Sequence, residues 1–237
     1  MLEFLRNKNV LIVVAHPDDE LLGLGATMNK LINEYGIKTH VVILGEGITS
    51  RSKSRDIKEC KEDLLIHKAN IKNAQKAIGY HSVNTYNFPD NRFDSVDLLD
   101  IIKVIEKEKK EFIPEIIFTH HGGDLNIDHK LTFNAVMTAC RPMLHETVKT
   151  IITFETPSGT EWRPNTDPHH FLPNFFVSVS SNNLESKIKG MECYEFERRN
   201  FPHPRSPEAL RIQAQRWGVV VGLNYAEAFN IVRLINL

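Results

Sequence analysis

The chain has 237 residues, 41% of them hydrophobic, with 29 Lys and Arg against 30 Asp and Glu, a net charge of −1 and a pI near 6.8. That balance leaves no basic stripe for a nucleic acid, and the longest apolar runs are strand-sized, too short to cross a bilayer. The length suits one large core, so a single domain over residues 1–237 is expected. The opening residues lack the apolar stretch and cleavage site of a signal peptide. Cys60, Cys140 and Cys193 are odd in number and far apart, which fits reduced thiols and a cytoplasmic location.

Val10 to Ala15 is an uninterrupted apolar run and predicts a buried strand. Leu21, Leu24, Met28, Leu31 and Tyr35 follow at helical spacing, and Gly36 is placed to end that helix. Thr39 to Leu44 reads as a second strand. Ile57, Cys60, Leu64, Ile71, Ala74 and Ile78 mark one long amphipathic helix ending at Gly79, with His67 on its apolar stripe as a satisfied core histidine. Val83 to Phe88 is a third, more polar strand. Asp94 or Ser95 is expected to cap a helix carrying Leu98, Ile102 and Ile105. Ile116 to Thr119 is the next strand, and a helix starts near Asp128. After Thr150 come strands at Ile151–Phe154 and Phe175–Val179, separated by the loop-like Pro157–Pro173. Helices over Asn183–Tyr194 and Pro207–Trp217 and a short last strand complete the chain. The βαβα alternation predicts an α/β fold with a mostly parallel sheet covered on both faces.

Two clusters carry chemistry. Ala15-His16-Pro17-Asp18-Asp19-Glu20 places one imidazole and three carboxylates just past the first strand. Acidic groups this close repel one another unless a cation neutralises them. His16 and Asp19, three apart on a loop braced by Pro17, suit two ligands of a divalent metal and leave Asp18 as a base. The second cluster, His120-His121-Gly122-Gly123-Asp124-Leu125-Asn126-Ile127-Asp128-His129, follows the fourth strand. In a parallel sheet the loops after both strands fall on one edge and can converge. His16, Asp19 and His129 then supply the three ligands of a catalytic zinc, a set that iron, manganese or cobalt would also accept. Asp128 has two readings, a helix cap or a carboxylate behind His129. Gly122-Gly123 is expected to let the backbone turn close to the metal.

These clusters resemble the PIG-L/LmbE family of metal-dependent de-N-acetylases. The resemblance continues at Leu44-Gly45-Glu46-Gly47, Phe88-Pro89-Asp90-Asn91-Arg92 and Pro202-His203-Pro204-Arg205-Ser206, and so spans most of the chain. It implies a Rossmann-like three-layer sandwich, one Zn2+ on His16, Asp19 and His129, and Asp18 as general base. It also implies removal of an acetyl group from the amine of a sugar. Many members carry His-Pro-Asp-His where this chain has Asn126-Ile127-Asp128-His129. Asn126 can donate a hydrogen bond to an oxyanion but cannot act as an acid. His203 is therefore expected to supply the proton, with His120 or His121 as substitutes, while Arg92 and Arg205 are candidate substrate-binding residues.

The expected partner is thus a small N-acetylated sugar, and the sequence leaves a homo-oligomer open. Three other readings compete. Gly23-Leu24-Gly25 hints at a nucleotide-binding module, but Met28 stands where the third glycine of that motif belongs. A phosphoesterase, or an amidase for another small molecule, would keep the metal and change the bond, although two-metal phosphoesterases need more ligands than one clear set of three. A non-catalytic metal-binding protein leaves Asp18 without a task.

Overall fold

The computed structural model describes residues 2–51 and 55–235. The first strand, β1 (Asn9–Val14), shows why an unbroken apolar run belongs at the centre. Val10, Ile12 and Val14 enter one apolar layer, and Leu11, Val13 and Ala15 enter the other. Successive strand residues point to opposite faces, so both faces must be covered.

The remaining strands are β2 (Lys38–Gly45), β3 (Ser82–Phe88), β4 (Ile116–His120), β5 (Thr150–Phe154), β6 (Phe175–Ser178) and β7 (Ala226–Leu234). They form one sheet in the order β3-β2-β1-β4-β5-β7-β6. β1 to β5 pair in parallel, and β7 runs antiparallel between β5 and β6. The helices α4 (Leu98–Phe112) and α5 (Ile127–Ala139) cover one face. The other is covered by α2 (Gly25–Tyr35), α3 (Lys61–Ile78), α6 (Ser181–Glu192) and the start of α7 (Pro207–Val221). This is the expected three-layer sandwich. β1 pairs with β2 on one side and β4 on the other, so the strand order reverses there. The crevice at the carboxyl ends of such a pair is where open α/β sheets bind ligands.

Several boundaries differ from the sequence expectation. The first helix is two, α1 (Asp19–Leu22) and α2, because Leu24 leaves helical geometry at φ −149°. The long helix begins only at Lys61, so Ile57 precedes it. Phe93–Ser95 forms a separate single turn, and α4 starts at Leu98 behind Asp97 rather than at Asp94 or Ser95. Among the described residues, no helix is long and apolar enough to cross a membrane.

Candidate active site

The loops after β1 and β4 bring three donor atoms together. His16 Nδ1 lies 3.5 Å from Asp19 Oδ2, and His129 Nε2 lies 3.4 Å from the same oxygen. One donor atom from each of the three residues falls within 4.8 Å of the others. Ligands ~2.1 Å from a tetrahedral ion stand about 3.4 Å apart, so the spacing fits one zinc-sized cation. Asp19 is held for this task, since its Oδ2 also accepts the His16 backbone N–H at 2.8 Å.

Each imidazole is turned by a carboxylate behind it. His16 Nε2 pairs with Asp128 Oδ2 at 2.9 Å, which leaves Nδ1 facing Asp19. Asp128 Oδ1 accepts the Phe93 N–H at 2.9 Å. His129 Nδ1 lies 3.2 Å from Asp124 Oδ1 as a charge contact outside hydrogen-bond geometry, which leaves Nε2 facing Asp19, and the Thr160 hydroxyl donates to the other Asp124 oxygen. Such outer carboxylates fix the tautomer and orientation of ligating histidines. His16, Asp90 and Asp128 form a second group of candidate donors. There, however, Asp128 is engaged with His16 and Phe93, and Asp90 with Ser50. The first set keeps its inward atoms for a cation.

The charges agree. Burial alone would depress both imidazoles. Around His16, Asp128 and Asp19 outweigh it and hold the pKa well above its usual value. Asp19 and Asp124 outweigh it around His129 and raise that pKa to about 9. Burial would likewise raise Asp19, but the charge on His129 holds its carboxyl well below the usual range. The cage draws positive charge onto the two imidazoles at the place where a cation would release those protons.

Asp18 differs from its neighbour. It takes φ +102° just before α1, with its N–H donated to Glu20 Oε2 at 3.0 Å. Glu20 is itself fixed by the Tyr194 hydroxyl at 2.7 Å, and burial raises it to about 7. Asp18 Oδ2 is buried and has no hydrogen-bond partner among the described residues. It lies 3.1 Å from Arg205 NH1, off the direction of an N–H. Burial pushes the Asp18 carboxyl well above its usual range against the pull of Arg205, with Glu197, Asp19 and Glu20 adding to the rise.

A cavity of about 280 Å³ opens over these groups, and Asn126, His203 and Arg205 line it with His16, Asp18 and His129. Asn126 caps α5: its side-chain oxygen accepts the Asp128 N–H at 2.8 Å, and its Nδ2 donates to Asn91 Oδ1 at 2.9 Å. The cap expected of Asp128 thus falls to Asn126. The carboxylate expected behind His129 is Asp124, while Asp128 stands behind His16. His203 Nδ1 accepts the Arg205 N–H at 3.2 Å, and its ring meets Trp162 edge-on. Burial lowers its pKa first, and Arg205 lowers it further. Arg205 donates to Ser158 Oγ at 2.9 Å and pairs with Glu197.

Other expected residues lie elsewhere. Arg92 is exposed and outside the cavity lining. His120 is fully buried, accepts the Ala15 N–H at Nε2 (2.9 Å) and meets Thr156 Oγ1 at Nδ1 (3.0 Å). Burial, with the His129 charge, lowers it to about 4, so it is neutral. Its ring stacks on His129 at 3.9 Å and fixes that plane. His121 bonds the His169 carbonyl at 2.8 Å, outside the cavity. Gly123 serves this same approach rather than the metal, since a Cβ there would stand 1.9 Å from the His169 oxygen. His67 is buried as expected, yet neither ring nitrogen has a hydrogen-bond partner among the described residues. The sequence reading missed Asp124 behind His129, and Arg51, Glu197 and Arg199 in the cavity wall. Asp124 sat within the second cluster, but the other three carry no local signature.

Residues 11–140 match the family described as PIG-L: GlcNAc-PI de-N-acetylase. The chain is 31% identical over 195 residues to the Escherichia coli (strain K12) protein called uncharacterized deacetylase YaiS, covering 80% of this chain and 92% of that one. It is 27% identical over 149 residues to a probable N-acetyl-alpha-D-glucosaminyl L-malate deacetylase 2 of Bacillus cereus, covering 58% and 66% of the two chains. Among solved structures, the N,N'-diacetylchitobiose deacetylase of Pyrococcus horikoshii superposes with a TM-score of 0.72 at 19% identity, covering 98% of this chain and 86% of that one.

Proposed function

The chain belongs to the PIG-L family, and from that premise we propose that it is a zinc-dependent amide hydrolase that removes the acetyl group from an N-acetylated amino sugar or sugar conjugate in the cytoplasm. One observation carries this reading. His16 and His129, at tetrahedral spacing with Asp19 behind them, line one cavity with Asp18, whose Oδ2 has no hydrogen-bond partner among the described residues. When bound on His16, Asp19 and His129, the metal supplies a Lewis acid that polarises the amide carbonyl and makes water more acidic.

The chain's own residues do the rest. Asp18 accepts the proton of the attacking water at Oδ2. Its burial makes that carboxylate a stronger base, able to keep the proton and deliver it to the departing amine. Arg205, fixed by Glu197 and Ser158, aims Asp18 and limits the rise of its pKa. His203 receives a backbone N–H at Nδ1, so its neutral form carries the proton at Nε2. That N–H donates to the oxygen that becomes negative. The Asn126 N–H not given to Asn91 is a second donor for it. His120 keeps the His129 ring in place.

A screen of N-acetylated sugars for acetate release, with and without chelator, tests the proposal. Release abolished by chelator and restored by zinc is expected. Chelator-insensitive release would overturn the metal, and no release from any sugar would overturn the substrate class.

A further inference from the structure

Asp18 stands at the start of α1 without behaving as an ordinary cap. An aspartate before a helix usually turns its own carboxylate onto the first free N–H groups. The Asp18 side chain makes no such bond, and its backbone takes φ +102°, a region that residues other than glycine rarely enter. Its carbonyl accepts the N–H groups of Leu21 and Leu22, both at 2.9 Å. Its own N–H goes to Glu20 Oε2 at 3.0 Å. Glu20 thus fixes this backbone, and the Asp18 carboxylate is left for the cavity that it lines.

Glu20 cannot do this alone, because a buried carboxylate needs its other oxygen met as well. Two tyrosines from distant elements hold the residue. The Tyr194 hydroxyl, just past α6, donates to Glu20 Oε1 at 2.7 Å, and the Tyr80 hydroxyl, just before β3, donates to the Glu20 carbonyl at 2.6 Å. Both tyrosines are buried. The Tyr194 carbonyl in turn accepts the N–H groups of Glu197 (3.0 Å) and Arg198 (2.9 Å). Glu197 pairs with Arg205, whose NH1 stands 3.1 Å from Asp18 Oδ2. The path of contacts therefore closes on itself. The Asp18 backbone is reached from the Tyr194 hydroxyl through Glu20, and the Asp18 carboxylate from the Tyr194 carbonyl through Glu197 and Arg205.

Resting on the deacetylase reading above, we infer that Tyr194 and Glu20 are positioning residues for the base: the turn from Tyr194 to Glu197 holds Asp18 at both its backbone N–H and its carboxylate, and so sets where the proton acceptor stands. Neither Tyr194 nor Glu20 lines the cavity, so neither meets the substrate. Their effect on the reaction passes through Asp18. A small displacement of the base costs rate and leaves substrate binding as it was.

Acetate release by Y194F, E20A and E20Q, and by Y194F combined with D18N, tests this. Y194F loses only the hydroxyl and leaves Glu20 Oε1 unmet in the interior. Its kcat should fall about tenfold or more, the cost of one buried acceptor without a donor, with KM and bound zinc unchanged. E20A should fall at least as far. E20Q keeps an oxygen for the Asp18 N–H and an amide to donate to the Tyr194 oxygen, so it should recover most of the rate that E20A loses. Added to D18N, Y194F should cost nothing further, because the group it positions no longer accepts a proton. An equal loss from Y194F with and without D18N, or a raised KM at unchanged kcat, would overturn the inference. No acetate from the wild-type protein with any sugar would instead break the deacetylase reading. Amide exchange followed by NMR would then still decide the role of Tyr194. The Asp18 N–H should exchange about tenfold or more faster in Y194F, with the amides of α5 unchanged. Asp18 exchange equal to that of wild type would overturn the inference.

Discussion

The two walls of the cavity are built differently. The wall from the β1 and β4 loops is a cage of buried groups, each held by another: Asp128 behind His16, Asp124 behind His129, His120 stacked on His129. The wall from residues 155–206 is looser, made of Arg199, Arg205, His203 and Trp162, with the last more than half exposed. Chemistry needs atoms fixed to fractions of an ångström, and recognition tolerates adjustment. The first wall is thus expected to carry the metal and most of the rate, the second to choose the substrate and lend one oxyanion donor through His203.

The largest effects should come from the rigid wall, and they divide within it. H16A and H129A should lose bound metal by elemental analysis, and activity with it. D18N should keep the metal and lose about 10²–10⁴-fold in kcat, the usual worth of a general base. If D18N lost the metal and D19N kept it, the roles of the two aspartates would be exchanged. On the opposite wall, H203A should lower kcat about 10²-fold, as for one lost oxyanion donor, with little change in KM. Since burial and then Arg205 lower the His203 pKa and favour its neutral form, H203Q, which retains an N–H donor, should recover part of that loss. No recovery would show that a titrating imidazole is required instead.

D124N and D128N test the outer carboxylates and should each weaken metal binding about 10–100-fold, read by zinc titration against a chelator. Unaltered affinity in D128N, with a normal fold, would mean that His16 is oriented without it.

The same contrast explains what the sequence revealed. β1 was legible because Val10 to Ala15 must face two apolar layers, and its loop was legible because His16 and Asp19 lie three apart. Neither depends on distant contacts. Asp124 and Asp128 were harder, being four residues apart in one cluster, the first in the loop after β4 and the second in the first turn of α5. Which imidazole each backs depends on His16, 112 residues from Asp128. Glu197 and Arg199 belong to a charged stretch after α6 that reads as a solvated helix end. Only the packing of α6 and α7 turns it toward the cavity. Arg92 was overread for the same reason: an arginine beside Asp90 and Asn91 is local in sequence, yet it points away from the cavity they line.

The smallest effect concerns what anchors the looser wall. Glu155 follows the last residue of β5 and comes immediately before Thr156, Pro157 and Ser158 of the cavity lining. It accepts hydrogen bonds from Trp217 Nε1 and Gln213 Nε2, both on α7, the helix that follows the His203–Arg205 segment. Burial raises its pKa from 4.5 to about 7, and the Trp217 hydrogen bond only partly opposes this. An acid raised on folding keeps its proton in the native state while the unfolded chain has lost it. Stability from this group is therefore full below about pH 4.5 and falls as pH climbs toward 7, by roughly 3 kcal/mol in total. E155Q keeps an acceptor for both donors and has no proton to lose. Relative to wild type, it should gain about that much between pH 5 and pH 8 in urea unfolding, because contributions common to both proteins cancel. Parallel stability curves for the two proteins across that window would show that Glu155 is charged without penalty, and that the β5–α7 junction is wetter than its burial indicates.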